Sequence, residues 1–433
     1  MLNLDGLTVE SLTDGGTQYD FVVRIDSAAP PCCLDGTVLN GTKRVLFRDL
    51  PIHGKHVGIW VTRQRYKCKG CRKTLYQSVP HMSRLHEMTD RLVRYLEKNS
   101  LERTFRALSH EVGINEGVVR NVFRRYAKAQ LDKLEPVTPE WMGLDELFIL
   151  SKFRGVVTNV KDRTLVDMLP NRSKPAIIRY LAAMPDKERV KLVTIDMWQP
   201  YREAVQLVLP HARIVVDKFH IVRMANEALE RVRKEHRASL PIKGRLQLKD
   251  DRWMMLTNPD RLDAGRHMLL EEMLERFPLL KQAYAAKEGF RAVWQTESID
   301  QAKAAYDKWA AELPEDIKPA FHDLTRAMGN WREEIFAYFD TRITNAYTES
   351  FNAVAKMTNR LGRGYSFEVL RAKLLLMHSC HKMERPVYVR PEREVRSMGR
   401  VFGMMLREDP APRFLGIGLS TLADELAKLP ENG

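Results

Sequence analysis

Between residues 141 and 217 the sequence alternates short β-prone runs with helical ones. Three β-prone runs come first, and then helical and β-prone runs follow each other in turn. In chain order the runs are WMGLDELFIL, FRGVVTNVKD, TLVDMLP, SKPAIIRYLAAM, KLVTID, YREAVQLVL and ARIVVD. Consecutive strands followed by β-α-β alternation favour a mixed sheet with helices on its faces. We therefore predict an α/β fold for this segment, within a chain of 433 residues that is long enough for several domains.

Two of the predicted strands carry an aspartate in an apolar setting. Asp145 lies within the first strand, and Asp196 ends the fourth, directly after the run VTI. Because side chains alternate along a strand, Asp145 and Glu146 point to opposite faces, and only one of them can join a given site. A buried carboxylate needs compensation, and sites in α/β folds form at the carboxyl ends of strands. Asp145 and Asp196 are therefore predicted to bind a divalent cation.

A third acid is expected from a helical segment further along the chain, because two carboxylates alone supply little charge for two ions. In TNAYTESFNAVAKMTNR, four polar residues recur at a spacing that draws one stripe along a helix: Asn345, Glu349, Asn352 and Lys356. Glu349 is the acid of that stripe and is the predicted third ligand. Each acid alone is better explained as a solvated or ion-paired carboxylate, but the three together on this sheet favour a metal site.

The charge balance favours a polyanionic partner. The sequence has 70 Lys and Arg against 56 Asp and Glu, which gives a net charge of +14. Binding to nucleic acid releases condensed counterions, so such a charge favours double-stranded DNA as partner; a merely basic soluble protein is the alternative. The N-terminus has no apolar core typical of a secretory signal, and no run of about 18 apolar residues occurs. A cytoplasmic, nucleoid-associated protein without membrane contact is expected.

Four of the five cysteines precede residue 72, and two of these, Cys68 and Cys71, are spaced as C-x2-C on a tight turn. Two thiolates at this spacing hold one tetrahedral Zn²⁺ when a second pair of ligands completes the site. The second pair is Cys32 and Cys33, and adjacent thiolates reach one ion only with strain. The fourth ligand stays open among Cys32, His53 and His56. A metal-free β module with buried thiols is the alternative.

Residues 101–126, LERTFRALSHEVGINEGVVRNVFRRY, fit two short helices joined by a turn. Apolar residues recur at helical spacing, Gly113 suits the turn, and Asn115 suits the N-cap of the second helix. That helix is predicted to present side chains that contact bases and phosphates in a major groove, namely Arg120, Asn121, Arg124 and Arg125. This pattern predicts a DNA-binding helix-turn-helix; the alternative is a helical pair of the kind common in cores that never touch DNA.

Four blocks in order resemble the bacterial insertion-sequence transposases of the DDE class, and within them the ISL-three group. The blocks are GLDE at 143–146, IDMWQPYREAV at 195–205, VVDKFHIVR at 215–223, and TNAYTESFN followed by RGYSFEVLRAKLLL. The stretch RYKCKGCRKT and the helix-turn-helix after it also resemble the group, so the similarity covers nearly the whole chain. This chain departs from the group at Cys32 and Cys33, where the group usually has C-x2-C.

The resemblance implies an RNase H-like catalytic domain whose acidic triad is Asp145, Asp196 and Glu349. It implies two Mg²⁺ ions at the triad, with Mn²⁺ as a substitute, a structural Zn²⁺, and an auxiliary role near the site for Asp217 and His220. A structural helix cap is the alternative for these two residues. The implied activity is hydrolytic cleavage at terminal inverted repeats and strand transfer to target DNA, by a homodimer or a larger synaptic assembly.

The predicted organisation has six parts. They are a zinc-binding β module at 1–80, a helix-turn-helix domain at 81–134, the first part of the catalytic core at 135–217, a helical insertion at 218–340, the final core helix at 341–382 and a basic tail at 383–433. The four tryptophans of the insertion, Trp253, Trp294, Trp309 and Trp331, are expected in its core. Two other functions stay open: a catalytically silent DNA-binding regulator and a structure-selective nuclease of the same superfamily.

Overall fold

The N-terminal part of the chain forms a five-stranded sheet. A computed structural model describes residues 2–25, 32–33, 36–241 and 252–381. The strands are β1 (Leu7–Asp14), β2 (Gln18–Ile25), β3 (Thr37–Ile52), β4 (Lys55–Cys68) and β5 (Thr74–Tyr76). Their order is β1-β2-β4-β3, with β5 beside β4; β2 runs parallel to β4, and the other pairs are antiparallel. Apolar residues that alternate along the strands, such as Phe21, Val23 and Ile59, form a small core.

Three helices follow, and each begins at a side chain that caps it. They are α1 (Asp90–Asn99), α2 (Phe105–Val112) and α3 (Glu116–Leu131). The side chains of Thr89, Thr104 and Asn115 accept hydrogen bonds from backbone N–H groups in the first turns. Helix α2 ends at Gly113, whose left-handed φ of 67° suits a residue without a Cβ. The turn and the N-cap predicted from the sequence are confirmed.

A second five-stranded sheet contains the alternating segment. Its strands are β6 (Trp141–Ile149), β7 (Lys152–Asn159), β8 (Thr164–Leu169), β9 (Leu192–Ile195) and β10 (Arg213–Val216), in the order β10-β9-β6-β7-β8. Strand β9 runs parallel to β6 and β10, whereas β7 is antiparallel to β6 and β8. Helices α4 (Lys174–Ala182) and α5 (Gln199–Val208) lie between the last three strands in sequence. The predicted mixed sheet is confirmed.

The described chain beyond β10 is helical. The helices are α6 (Lys218–Ser239), α7 (Arg252–Leu256), α8 (Ala264–Arg276), α9 (Pro278–Val293), α10 (Ile299–Ala311), α11 (Lys318–Asn330), α12 (Arg332–Phe336), α13 (Tyr338–Thr341), α14 (Ala346–Gly362) and α15 (Phe367–His378). Trp309 and Trp331 are buried, and Trp294 packs against the same core. Trp253 is 69% exposed, so the expectation of a core position is wrong for this tryptophan.

The two faces of the second sheet border different cores. One core joins Met142 and Leu144 of β6 to α4, α5 and the helices from α6 to α13. The other joins Leu147 and Ile149 of the same strand to α14, α15 and the helices α1 to α3. The predicted helix-turn-helix therefore shares its hydrophobic core with the sheet. The predicted tail at 383–433 lies outside the described residues.

Within the described ranges, no helix combines the length and the apolar composition that a bilayer crossing requires.

Candidate active site

Helix α14 approaches β6 closely at Gly143, the first residue of the block GLDE. A Cβ at this position would lie closer than 3.0 Å to Thr158 Oγ1, Thr348 Oγ1 and Asn345 Oδ1. The hydroxyl groups of the two threonines lie 2.7 Å apart, and Thr348 donates to Asn345 Oδ1 at 2.5 Å. These buried contacts hold the N-terminus of α14 against the strand. They thereby bring Glu349, the residue after Thr348, to the sheet.

Asp145 is a buried carboxylate on β6 with defined hydrogen-bond partners. Asn352 Nδ2 donates to Asp145 Oδ2 at 2.7 Å, and the backbone N–H of Glu146 donates to Oδ1 at 2.7 Å. The hydroxyl of Tyr201 on α5 donates to the backbone carbonyl of Asp145 at 3.3 Å. Both carboxylate oxygens are thus oriented by neighbouring groups, although no cation in the described chain pairs with either.

The acids around Asp145 act on one another electrostatically. Burial and the negative charges of Asp196 and Glu349 together raise the pKa of Asp145 to about 7. Burial also raises the pKa of Asp196 and of Asp217. Asp196 Oδ1 and Asp217 Oδ2 are buried without a hydrogen-bond partner among the described residues. Carboxylates with excess negative charge and free oxygens fit a hard divalent cation.

The tightest group of candidate ligands is Asp217, His220 and Glu349. One ligand atom from each lies within 4.8 Å of the others, and His220 Nε2 is 3.5 Å from Glu349 Oε1. Asp217 is also the N-cap of α6, where it accepts a hydrogen bond from the N–H of Phe219 at 3.3 Å. Asp217 is therefore the helix cap that was considered as the alternative, and its carboxylate also lies within the group of candidate ligands. Asp145 and Asp196 lie outside this tight group, but the charges of Asp196, Glu349 and Asp217 all act on Asp145.

Four cysteine sulfurs converge beside β4. The Sγ atoms of Cys32, Cys33, Cys68 and Cys71 all lie within 4.8 Å of one another, with Cys32 3.5 Å from Cys71 and 3.9 Å from Cys33. A tetrahedron of sulfurs around zinc has edges of about 3.8 Å, so the four thiols fit this ion. Backbone hydrogen bonds from Cys71 and Cys33 lower the pKa of Cys68 to about 6. The adjacent pair therefore joins one cluster despite the expected strain.

The two histidines considered as zinc ligands lie elsewhere. The ring of His56 is 3.0 Å from the carbonyl oxygen of His110 and packs against Gly113. His53 lies edge-on to the ring of Tyr19. Cys32 is therefore the fourth candidate ligand that the structure supports.

Comparison with known families decides what kind of protein carries these two clusters. A family model described as transposase, of the DDE class and the ISL-three (ISL3) group, matches residues 142–374, more than half of the chain. The chain belongs to this transposase family. A second model, described as a zinc-finger of transposases, matches residues 30–71 of the transposase, the stretch that contains all four clustered cysteines. The expectation of an insertion-sequence transposase is confirmed, and this enzyme family cleaves and transfers DNA with divalent metal ions.

Individual relatives carry the same name. The transposase is 25% identical over 326 residues to the transposase for insertion sequence element IS1001 of Bordetella parapertussis. The matched region covers 73% of this chain and 80% of that protein. It is 24% identical over 273 residues to the transposase for insertion sequence element IS1557 of Mycobacterium tuberculosis. This matched region covers 57% of this chain and 61% of that protein.

The four side chains predicted to contact DNA differ in their surroundings. Asn121, Arg124 and Arg125 of the transposase are exposed on α3. Arg120 is half-buried, donates to Glu116 at 2.8 Å, and its guanidinium carbon lies 5.7 Å from the centre of the Phe105 ring. Three of the four therefore lie on an open helix face, whereas Arg120 is engaged within the transposase.

The contacts of two side chains near the acids were not predicted from the sequence. Asn352 was assigned to the polar stripe, but its hydrogen bond to Asp145 depends on tertiary structure. Arg172 lies in a loop before α4, and its guanidinium contacts Glu146 on the face of β6 opposite Asp145. No periodicity or motif marks Arg172, so the sequence offered no signal for it.

Proposed function

We propose that Asp145, Asp196 and Glu349 are the catalytic triad of the transposase, within an RNase H-like domain built on the second sheet. The observation that carries the proposal is the burial of Asp145 among the charges of other acids, which raises its pKa. Such a set is costly to fold without a compensating cation. The strand order β10-β9-β6-β7-β8 supports the same assignment, since Asp145 and Asp196 then come from neighbouring strands.

The triad carboxylates hold two Mg²⁺ ions in this proposal, and Mn²⁺ substitutes for them. Two divalent ions supply a more basic attacking oxygen and a stabilised leaving 3′ oxygen during in-line displacement. Asn352 orients Asp145 through its hydrogen bond to Oδ2. His220, 3.5 Å from Glu349, orients that carboxylate, and Asp217 adds negative charge beside it. The chain itself thus contributes orientation and charge.

Helices α2 and α3 act in this proposal as a helix-turn-helix that binds the terminal inverted repeats. The exposure of Asn121, Arg124 and Arg125 supports this role. Arg124→Gln is expected to weaken binding to the repeat by about 1–3 kcal/mol. Arg120→Gln is the internal comparison, because loss of its contacts with Glu116 and Phe105 lowers thermal stability instead. Equal binding by wild type and Arg124→Gln contradicts the role of α3.

Two ends of an element must meet for transfer, so the proposal includes at least two protomers in the active assembly. Light scattering of the protein with and without terminal-repeat DNA tests this point. A complex that contains one protomer and two DNA ends contradicts it.

Strand cleavage tests the triad directly. Purified protein is incubated with Mg²⁺ and a labelled duplex that carries the inverted repeat flanking the gene, and nicks are mapped on both strands. Wild type is expected to cut at the element end, and Asp196→Asn is expected to lose cleavage while it still binds the duplex. Asp316→Asn, which changes an exposed aspartate of the insertion, is the matched control. Full cleavage by Asp196→Asn contradicts the assignment.

A further inference from the structure

Arg172 is held between two aromatic rings, one of which belongs to the segment that follows Asp196. Its guanidinium carbon lies 3.9 Å from the centre of the Phe153 ring and 3.8 Å from the centre of the Trp198 ring. Phe153 belongs to β7, and Trp198 follows Asp196 by two residues, with its backbone N–H donating to the Asp196 carbonyl at 2.8 Å. Arg172 thus bridges the β6–β7 hairpin and the segment that carries Asp196.

The two rings fix the plane of the guanidinium. A stacked arginine keeps its N–H groups in one plane and directs them outward from its edge, where they match carboxylate or phosphate oxygens. In this structure the edge of Arg172 contacts a carboxylate, that of Glu146. Both side chains keep about a quarter of their surface exposed, at 28% and 26%, although the Glu146 oxygen that contacts Arg172 is buried.

The surroundings of Arg172 suit a nucleic-acid strand. Phe148 and Phe153 are directly paired across the hairpin, their ring centres are 5.0 Å apart, and they are 56% and 42% exposed. Exposed rings next to a cation are the usual combination for stacking bases or sugars while a phosphate is bound. A DNA strand that enters a cluster of carboxylates also needs fixed positive charge to offset repulsion of its phosphates.

We propose that Arg172 is a positioning residue that binds a backbone phosphate of the DNA strand next to the scissile bond. In the absence of DNA, the Glu146 carboxylate occupies the position of that phosphate. This inference rests on the proposed active site, since it assumes that the reacting phosphate lies at the acids. Glu146 and Asp145 then have separate tasks on the two faces of β6. Glu146 competes with DNA for Arg172, whereas Asp145 binds metal.

The test measures binding of the terminal-repeat duplex in EDTA, where no cleavage occurs, over a range of salt concentrations. Arg172→Gln is expected to bind about tenfold more weakly, the loss of one hydrogen bond to a charged group. Its plot of log affinity against log salt is expected to be shallower by about 0.9, as for one lost phosphate contact. Arg172→Lys keeps the charge and the salt slope but loses the planar edge, so its affinity falls with little change of slope.

Glu146→Gln gives the sharper result, because removal of the competing carboxylate is expected to tighten DNA binding. The gain must disappear in the double variant Glu146→Gln/Arg172→Gln. Glu203→Gln makes the same charge change on α5, where Glu203 pairs with Lys174, and controls for a general electrostatic effect. A purely structural Arg172 predicts lower thermal stability with an unchanged salt slope. That result, or an equal gain from Glu146→Gln with and without Arg172, overturns the inference.

The proposed active site has its own readout in the same preparation. Loss of cleavage in Mg²⁺ by Asp145→Asn tests the triad, whereas binding in EDTA by Arg172 variants tests the phosphate contact. Cleavage by Asp145→Asn at the wild-type rate contradicts the triad assignment. An unchanged affinity of Arg172→Gln for the duplex contradicts only the proposed phosphate contact.

Discussion

The side-chain amide of Asn352 donates a 2.7 Å hydrogen bond to Oδ2 of Asp145, a residue 207 positions earlier in the chain. The bond joins α14 to β6 inside the acidic cluster. The bond lowers the pKa of Asp145, but burial and neighbouring negative charge outweigh it, so that the pKa is raised to about 7. Asn352 therefore favours the ionised carboxylate that a metal ligand requires.

Asn352→Ala is expected to slow strand cleavage by roughly tenfold, since a hydrogen bond to a charged group contributes about 1.5 kcal/mol. Binding of terminal-repeat DNA in EDTA should stay unchanged. Asn359→Ala makes the same change further along α14 and serves as the control. Wild-type cleavage by Asn352→Ala at limiting Mg²⁺ contradicts a role for this bond.

Gly143→Ala is expected to destabilise the protein by about 1–3 kcal/mol and to reduce cleavage, because the added Cβ overpacks the junction of β6 and α14. The neighbouring polar atoms of Thr158, Thr348 and Asn345 are fixed by buried hydrogen bonds and cannot move freely. Gly329→Ala in α11 is the control: no atom lies within 4 Å of its added Cβ, so helix propensity predicts a small gain in stability. Thermal unfolding that ranks the two variants in the reverse order contradicts this packing.

Cys71→Ser is expected to reduce bound zinc from about one ion per chain to nearly none, because a structural site needs all four ligands. Treatment with a chelator should likewise remove the zinc and is expected to destabilise the N-terminal sheet, because binding of a structural metal contributes to the free energy of folding. Cys380→Ser is the control, since Cys380 lies outside the four-cysteine cluster. Elemental analysis that finds no zinc in the wild type rules out the site.

Lys373 links α15 to the loop between α1 and α2. Its ammonium donates to the backbone carbonyls of Ser100, Leu101 and Arg103, and its side chain is 1% exposed. The rings of Phe105, Phe123 and Tyr365 surround it at 4.9 to 5.4 Å. Burial lowers the pKa of Lys373 to about 7.

This pKa makes stability depend on pH with a defined sign. In the unfolded chain the pKa of Lys373 returns to 10.5, so the unfolded state binds more protons than the folded state between about pH 7 and 10.5. The free energy of unfolding should therefore rise with pH across this window, and the gain is lost as pH falls to 7. Denaturant unfolding of wild type and Lys373→Met at pH 7 and pH 9 checks this, with exposed Lys308→Met as control. A constant difference between wild type and Lys373→Met at both pH values contradicts the prediction.

The sequence predicted those features that are encoded locally. The mixed sheet follows from alternating apolar runs, and the N-cap at Asn115 and the left-handed Gly113 follow from single residue types. The position of Asp196 directly after β9 was also visible, because the strand pattern ends at that residue. Such features depend on neighbours in sequence and need no knowledge of tertiary contacts.

Contacts between distant segments were beyond the sequence. The four clustered cysteines were predicted as a group, but the choice of Cys32 over His53 and His56 as fourth ligand depends on tertiary contacts. The stacking of Arg172 between Phe153 and Trp198 joins three separate segments. The core that α1 to α3 share with the second sheet was not predicted for the same reason. The apolar face of a helix does not show which other element packs against it.

Metal binding decides between the two groupings of acids in the active site. Mn²⁺ titration followed by electron paramagnetic resonance counts the bound ions and detects coupling between ions about 4 Å apart. Wild type is expected to bind a coupled pair, and Asp145→Asn and Asp196→Asn should each lose one ion and the coupling. Asp316→Asn should behave as wild type. An unchanged coupled pair in both Asp145→Asn and Asp196→Asn contradicts the triad and leaves Asp217, His220 and Glu349 as the metal ligands.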